Sequence, residues 1–339
     1  MVNILLTSAG RRAYIVDYFK SASGIGKVFA SNSIYTIALK RADGYFISPL
    51  IYDDNYIPSI IEFCKQQNIS AVLSLFDIDL LVLAKHTSDF ERNGIHLILA
   101  PQEFVEICND KYHTYEFLLS LNIPTPKTFV DQNKVLQSIT KGELSFPIIM
   151  KPRWGMASMG VYKVYDEQEL EVLTKRCCRD IFASYLKFES SLTPDNAIIY
   201  QECIDGNEFG LDVLNDLNGN YIKTFAKQKV SMRSGETDLG KTVSADSFYD
   251  IGKTISENSG HKGILSVDCF QCKDGCVYVI EMNCRISGHY PLSYLAGFNY
   301  PQLLVDWLNG KPTDDKLLHF EEGLYIVKDL CPMILRSEK

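Results

Sequence analysis

The chain has 339 residues, 46% hydrophobic and 22% charged, a composition of folded domains with proper cores and not of a disordered segment. A formal charge of -8 leaves no large basic surface for following a nucleic-acid backbone, although one local basic pocket for a nucleotide is compatible with it. No stretch approaches the roughly 20 apolar residues of a bilayer span. The opening MVNILLTSAGRR has its charges after the apolar run, unlike a secretory signal, and the ten cysteines read as reduced thiols, so a cytoplasmic protein is expected.

Short apolar runs alternate with helical patterns from the start: VNILLTS, a helix near Arg12 to Ser21, KVFASNS, YFISPL, a helix near Ile57 to Gln67, AVLSLF, a helix near Leu80 to Arg92, and HLILA. This order predicts an α/β domain with an open, Rossmann-like parallel sheet over residues 1–105. Ligands collect at the carboxyl ends of such strands, which puts Thr7 to Arg11, Ser31 to Ser33 and Phe76 to Asp79 along one rim. The turn Thr7 to Arg12 either holds an anion through backbone N–H groups and an arginine or is a plain strand-to-helix connection; it lacks the G-x-G-x-x-G spacing of a dinucleotide site. Asp77 and Asp79 either cap the following helix or face a substrate.

After Pro101 a helix is predicted from Gln102 to Leu121, and the prolines of Ile123-Pro124-Thr125-Pro126 end it. A buried strand, Phe146 to Lys151, leads into a glycine-bearing loop and a strand, Val161 to Val164, before a helix that begins near Asp166. Strands fill Ile198 to Ser231, and the polar stretch Ser231 to Ser244 is expected as a mobile surface loop. A helix near Ser247 to Gly260, a hairpin from Ile264 to Met282 and a helix from Pro301 to Asn309 follow, with one strand-like run, Gly323 to Leu330, near the end.

Two stretches carry chemistry. In the hairpin, Asp274-Gly275 suits a two-residue turn; counting outward from it places Asp268 opposite Glu281, with Asn283 on the same face. Like charges paired across a sheet repel, and a divalent cation removes the penalty. Three oxygen ligands from Asp268, Glu281 and Asn283, completed by water and phosphate, suit magnesium better than zinc. Arg285 follows at the next alternate position. Cys269, Cys272 and Cys276 could suggest a metal, but residues three apart on a strand face opposite ways, so they read as small buried side chains. The second stretch is Lys151 at a strand end, followed by the loop Gly155 to Gly160 with Ser158 inside it. A lysine so placed neutralises phosphates while the loop backbone closes over them.

The ordered set Asp110-Lys111, Leu121-Asn122-Ile123-Pro124-Thr125-Pro126, Met150-Lys151-Pro152, Tyr200-Gln201-Glu202, Glu208, Asp268 and Glu281-x-Asn283-x-Arg285 resembles the ATP-grasp superfamily, in particular members similar to the carbamoyl phosphate synthetase large subunit. The resemblance implies a two-lobed α+β ATP-grasp domain over 106–310, with a small lobe about 124–197, a large lobe about 198–310, and 311–339 as a C-terminal extension. It implies that Lys111 and Lys151 contact ATP phosphates, that Gly155, Ser158 and Gly160 form the covering loop, and that Glu202, Cys203 and Ile204 read adenine through their backbone. Glu208 would accept from the ribose, while Asp268, Glu281 and Asn283 would hold magnesium, as two ions replaceable by manganese.

The activity implied is ATP-dependent ligation of a small carboxylate to an amine acceptor, with a homodimer as a family-level expectation. Arg285, Arg233 and His289 are candidates to hold the carboxylate and the developing oxyanion, with Lys151 spreading charge. The family's synthetase carries two such modules and this chain carries one, so carbamoyl phosphate synthesis itself is not expected; Cys284 and His289 also depart from the commonest pattern. Two other classes compete. A non-catalytic nucleotide-binding subunit has no need for the magnesium set, and a nicotinamide enzyme lacks its glycine fingerprint after Leu6.

Overall fold

The structure, a computed structural model, describes residues 1–156, 158–233 and 235–335. Apolar runs at the start form the strands β1 (Val2–Thr7), β2 (Ile25–Asn32), β3 (Gly44–Ile47), β4 (Ala71–Ser74) and β5 (His96–Leu97). They pair in parallel in the order β3-β2-β1-β4-β5. All of β4 is buried, as expected where helices cover both faces of a sheet. The helical patterns appear as helices Ala13–Lys20, Tyr56–Gln66, Asp77–Lys85 and Thr87–Arg92.

The helix predicted over 102–121 is two helices, Gln102–Asn109 and Lys111–Ser120. Asp110 separates them because its carboxylate accepts from the N–H groups of Tyr112 (2.9 Å) and His113 (3.3 Å), starting a new helix. A four-stranded sheet follows, from β6 (Thr128–Phe129), β7 (Ile148–Pro152), β8 (Tyr162–Val164) and β9 (Ile198–Glu202), ordered β6-β9-β7-β8. Since β9 pairs with β6 and β7, residues 198–202 lie with the small sheet and not with the large lobe that the sequence reading began at 198. Helix Glu167–Phe182 packs on this sheet through Leu170, Cys177 and Ile181.

The large sheet is built from β10 (Asn207–Asn215), β11 (Tyr221–Arg233), β12 (Glu236–Val243), β13 (Gly263–Gln271), β14 (Val277–Asn283) and β15 (Tyr325–Val327) in the order β14-β13-β10-β11-β12-β15. The stretch 231–244, expected as a mobile loop, supplies the end of β11 and most of β12. Its polar sequence misleads because β12 is held on both sides, by β11 and by β15 from the C-terminal segment, a partner that local pattern does not reveal.

One core cluster joins Ile4, Leu6 and Phe19 to Phe225 and to Leu303, Leu304 and Val305 of the helix Tyr300–Leu308. A second joins Val72 and Leu97 to Leu211, Val267 and Met282. The parallel sheet and the large sheet therefore share buried contacts, while the small sheet closes over its own cluster around Ile148, Met150 and Tyr200. A cleft remains between them. Among the described residues no helix is long and apolar enough to cross a membrane.

Candidate functional site

Asp268 pairs with Glu281, and Ser266 with Asn283, so the three oxygen-bearing side chains line one cleft. The route to that register differs from the expected two-residue turn. The N–H of Gly275 donates to the Cys272 carbonyl, and the N–H of Cys272 donates to the Cys276 carbonyl at 2.9 Å, a three-residue turn with Gly275 at φ +89. Pairing then runs one residue out of the expected register, Cys269 against Val279, until a bulge between Cys269 and Asp268 restores it. The bulge is held from outside, where the Val279 N–H donates to the Pro124 carbonyl at 2.9 Å.

The expected repulsion between the carboxylates is offset by lysines. Asp268 Oδ1 lies 2.9 Å from Nζ of Lys229, which also holds Glu208 at 2.8 Å, and Glu281 Oε1 lies 3.5 Å from Nζ of Lys111. Burial alone would raise the Asp268 carboxyl, but Lys229 and His289 outweigh it and hold it below the usual carboxylate range. Asp268 Oδ1 thus has Lys229 as its ion-pair partner, with His289 Nε2 3.6 Å away. Among the described residues no three His, Cys, Asp or Glu side chains converge as a metal site; the candidate set is two carboxylates and the amide of Asn283. Hard oxygen donors that leave positions for phosphate and water fit magnesium. Cys269 is buried, and Cys272 and Cys276 sit at the hairpin turn.

Across the cleft, Lys151 is 7% exposed at the end of β7. Burial lowers its ammonium to about 8, with Glu281 opposing and Lys111 reinforcing the shift. Among the described residues nothing takes a hydrogen bond or ion pair from its Nζ. Lys111 is equally buried: Asp110 caps its helix and is gripped by Arg153 through two bonds of 2.7 Å, which turns Lys111 inward to donate to the Gly155 carbonyl. Gly155 and Ser158 line the cleft, whereas Gly160 does not. With φ +65, Gly160 packs against Pro152 and shapes the loop from behind. Glu202, Cys203, Ile204 and Glu208 line the same cleft, whose volume of about 360 Å³ is that of a small-molecule pocket.

The parallel sheet supplies the far wall. Asp77 is no side-chain cap; its Oδ2 accepts from Arg285 Nε (3.0 Å) and Nη2 (2.8 Å). Asp79 is fully buried and accepts from Thr7, Ser74 and Tyr56 at 2.5–2.7 Å and from Ser8 at 3.1 Å, which makes it the anchor of the turn and not a substrate contact. Arg12, carried by that turn, donates from Nη1 to the Ile286 carbonyl at 2.8 Å.

His289 also lines the cleft, but both ring nitrogens are engaged, Nδ1 with Ser287 (2.9 Å) and Nε2 with Ser266 (3.2 Å). It fits there because Gly210 lacks a Cβ, which would fall 2.6 Å from Nε2. Burial holds its pKa at about 4, with Lys227 adding to the effect, so the ring is neutral at pH 7. Arg233 is a correction. It sits at the β11–β12 hairpin, donating to Asp238 Oδ1 at 2.5 Å and to the Lys328 carbonyl, outside the cleft, because the stretch around it is sheet and not a closing loop. Cys284 is accounted for by packing: its Sγ lies 3.4 Å from that of Cys108. Sequence reading missed Lys229 and the Asp110–Arg153 pair. The period-two spacing of Lys227 and Lys229 on a strand beside Glu208 was the available signal for the first.

Comparison with known proteins bears on the family and the fold. Residues 4–98 match the family described as PylC-like, N-terminal domain. The carbamoyl phosphate synthase large chain of Thermoanaerobacter sp. (strain X514) is 23% identical over 319 residues, covering 89% of this chain and 27% of that protein. The arginine-specific large chain of Geobacillus stearothermophilus is 22% identical over 315 residues, 90% of this chain and 28% of that one. The chain thus spans about a quarter of the length of the curated relatives it matches. Among solved structures, the biotin carboxylase domain dimer of Hydrogenobacter thermophilus 2-oxoglutarate carboxylase, in complex with MgADP, ADP and bicarbonate, superposes with a TM-score of 0.73 at 16% identity over 95% of this chain and 73% of that one. The L-amino acid ligase of Bacillus licheniformis gives 0.69 at 21% identity over 90% and 75%. These likenesses establish the fold. The ATP-grasp domain description matches residues 108–289, more than half of the 339, and the chain belongs to the ATP-grasp family.

Proposed function

We propose that the chain is an ATP-dependent carboxylate–amine ligase, and the observation that carries this is the buried, unpartnered ammonium of Lys151 facing the Asp268, Glu281 and Asn283 wall of one cleft. Lys111 and Lys151 hold the phosphates under the loop that bears Gly155 and Ser158. The backbone of Glu202 to Ile204 reads adenine, and Glu208, fixed by Lys229, accepts from the ribose. Asp268, Glu281 and Asn283 would hold magnesium, as two ions replaceable by manganese, which supplies charge neutralisation and orients the phosphate oxygens.

A carboxylate oxygen of the substrate attacks the γ-phosphorus, the bond to the bridging oxygen breaks, and ADP departs with the electron pair. Lys111, Lys151 and Arg285 spread the charge that develops. The amine then attacks the acyl carbon, its proton is lost to solvent, and phosphate leaves with the bonding pair. His289 acts through Ser266 and Ser287, holding the wall in place, and not on substrate. A homodimer belongs to the same proposal and is checked by sedimentation.

The test is ADP release over pairs of carboxylates and amines, with mass detection of product, in the wild type and in Lys151→Met. Amide formation that requires ATP and disappears in the variant is the expected result. ADP binding without turnover for any pair would favour the non-catalytic alternative and reject the ligase.

A further inference from the structure

The part of the cleft lined by Arg12 and Arg285 has more positive than negative charge. Two guanidinium groups meet on one backbone carbonyl: Nη1 of Arg12 at 2.8 Å and Nη1 of Arg285 at 3.4 Å from the Ile286 oxygen. Arg285 has the Asp77 carboxylate as its partner. Glu236, the other acid at this end, is taken by Lys328 at 2.9 Å. Arg12 is left with a neutral carbonyl and no ion pair among the described residues; burial and the neighbouring Arg285 work against its charge, and Tyr14, Glu236 and Asp77 favour it only through space. Tyr14, within electrostatic reach of Arg12, Glu236 and Arg285, lies behind the lining of the cleft and has a buried hydroxyl with no hydrogen-bond partner. A guanidinium that meets only a backbone carbonyl, and beside it a buried hydroxyl with no hydrogen-bond partner, call for an anion.

The position of Arg12 is built. The turn that bears it has Ser8 at φ 51 and Gly10 at φ 52, and the Asp79 cluster pins it through Thr7 and Ser8. A well-anchored turn that holds Ser8 in the left-handed region and delivers a guanidinium into a cleft is costly unless the guanidinium is used. On the ligase reading given above, on which this inference rests, the phosphates of ATP are met by Lys111 and Lys151, so they do not use it.

We propose that Arg12, assisted by the Tyr14 hydroxyl, is a specificity-determining contact for a second oxyanion on the substrate, a carboxylate or phosphate that is not activated and is retained in the product. Substrates with that group removed or neutralised are rejected because the guanidinium would be left without an anionic partner.

The experiment compares acid and neutral partners of the same skeleton in the presence of MgATP: free α-amino acids against their carboxamides, and glycerol phosphate and sugar phosphates against the unphosphorylated compounds. The wild type should prefer one charged series by about 100-fold or more in kcat/KM. Arg12→Met should bring that preference to within a few fold, mainly through KM, with ADP affinity unchanged, and Arg12→Lys should restore part of it. Tyr14→Phe removes a hydroxyl that has no partner in the protein, so thermal stability should be unchanged while KM for the charged substrate rises.

Which series is preferred identifies the anion as carboxylate or phosphate. Equal use of charged and neutral compounds by the wild type, or a preference that survives Arg12→Met, overturns the proposal. So does failure of every charged probe to be used or to stabilise the MgADP-bound protein. Failure to bind MgADP at all rejects the ligase reading itself.

Discussion

Asp268→Asn keeps the shape of the side chain and removes one charge from the carboxylate wall, and the structure fixes the sign of its effect. Asp268 Oδ1 lies 2.9 Å from Nζ of Lys229, with side chains 20% and 4% exposed. In the variant, that ammonium keeps Glu208 at 2.8 Å. Breaking a fully buried ion pair costs about 3–5 kcal/mol. With one carboxylate remaining and Asp268 partly solvated, we expect a loss of about 1–2 kcal/mol, a few degrees in Tm. Because the folded carboxyl is held below its usual range, its contribution is present above about pH 4 and is lost as pH falls from there towards the folded value. The gap between wild type and variant should therefore narrow in acid.

Glu281→Gln should change the protein without ligand by less than about 1 kcal/mol, since its ion pair is long and its partner Lys111 keeps the Gly155 carbonyl. MgADP at 100 times its Kd should stabilise the wild type by about 2.7 kcal/mol in all, and both variants should lose the part of this that depends on magnesium. Urea unfolding across pH, with and without magnesium and ADP, measures every quantity. A more stable Asp268→Asn without ligand would mean that carboxylate repulsion outweighs the Lys229 pair. An intact magnesium increment in both variants would remove these residues from the metal site.

Lys151→Met should stabilise the protein without ligand at pH 7, because a depressed folded pKa means that the charged form is disfavoured by folding. The wild type should recover relative to it as pH rises from about 8 towards 10.5, and nucleotide affinity should fall at least tenfold at pH 7; calorimetric titration and denaturation check both. Asp79→Asn presents an amide N–H₂ to hydroxyl donors that now meet a carboxylate and should cost about 2–4 kcal/mol by denaturation, with substrate KM raised through the loosened turn. Arg233→Ala should leave kcat/KM unchanged, and a large loss in a steady-state assay would put the hairpin back into the mechanism.

The sequence by itself determined what local pattern can carry: the alternating order that makes a parallel sheet, the hairpin that brings Asp268 and Glu281 together, and the strand end that presents Lys151. Even there, the pairing was reached by a different path, since a three-residue turn and a bulge between Asp268 and Cys269 cancel each other in register. What only the tertiary structure decided is how charges from distant segments are matched. Lys229 answers Asp268 and Glu208, Asp77 answers Arg285 across 208 positions, and Arg12 reaches Ile286 across 274. Residues 325–327 turn the polar stretch before Ser244 into an interior strand. Periodicity reports which face of an element is buried. It holds no record of which element will lie against that face, and electrostatic partnership depends on the distance and burial that this docking sets.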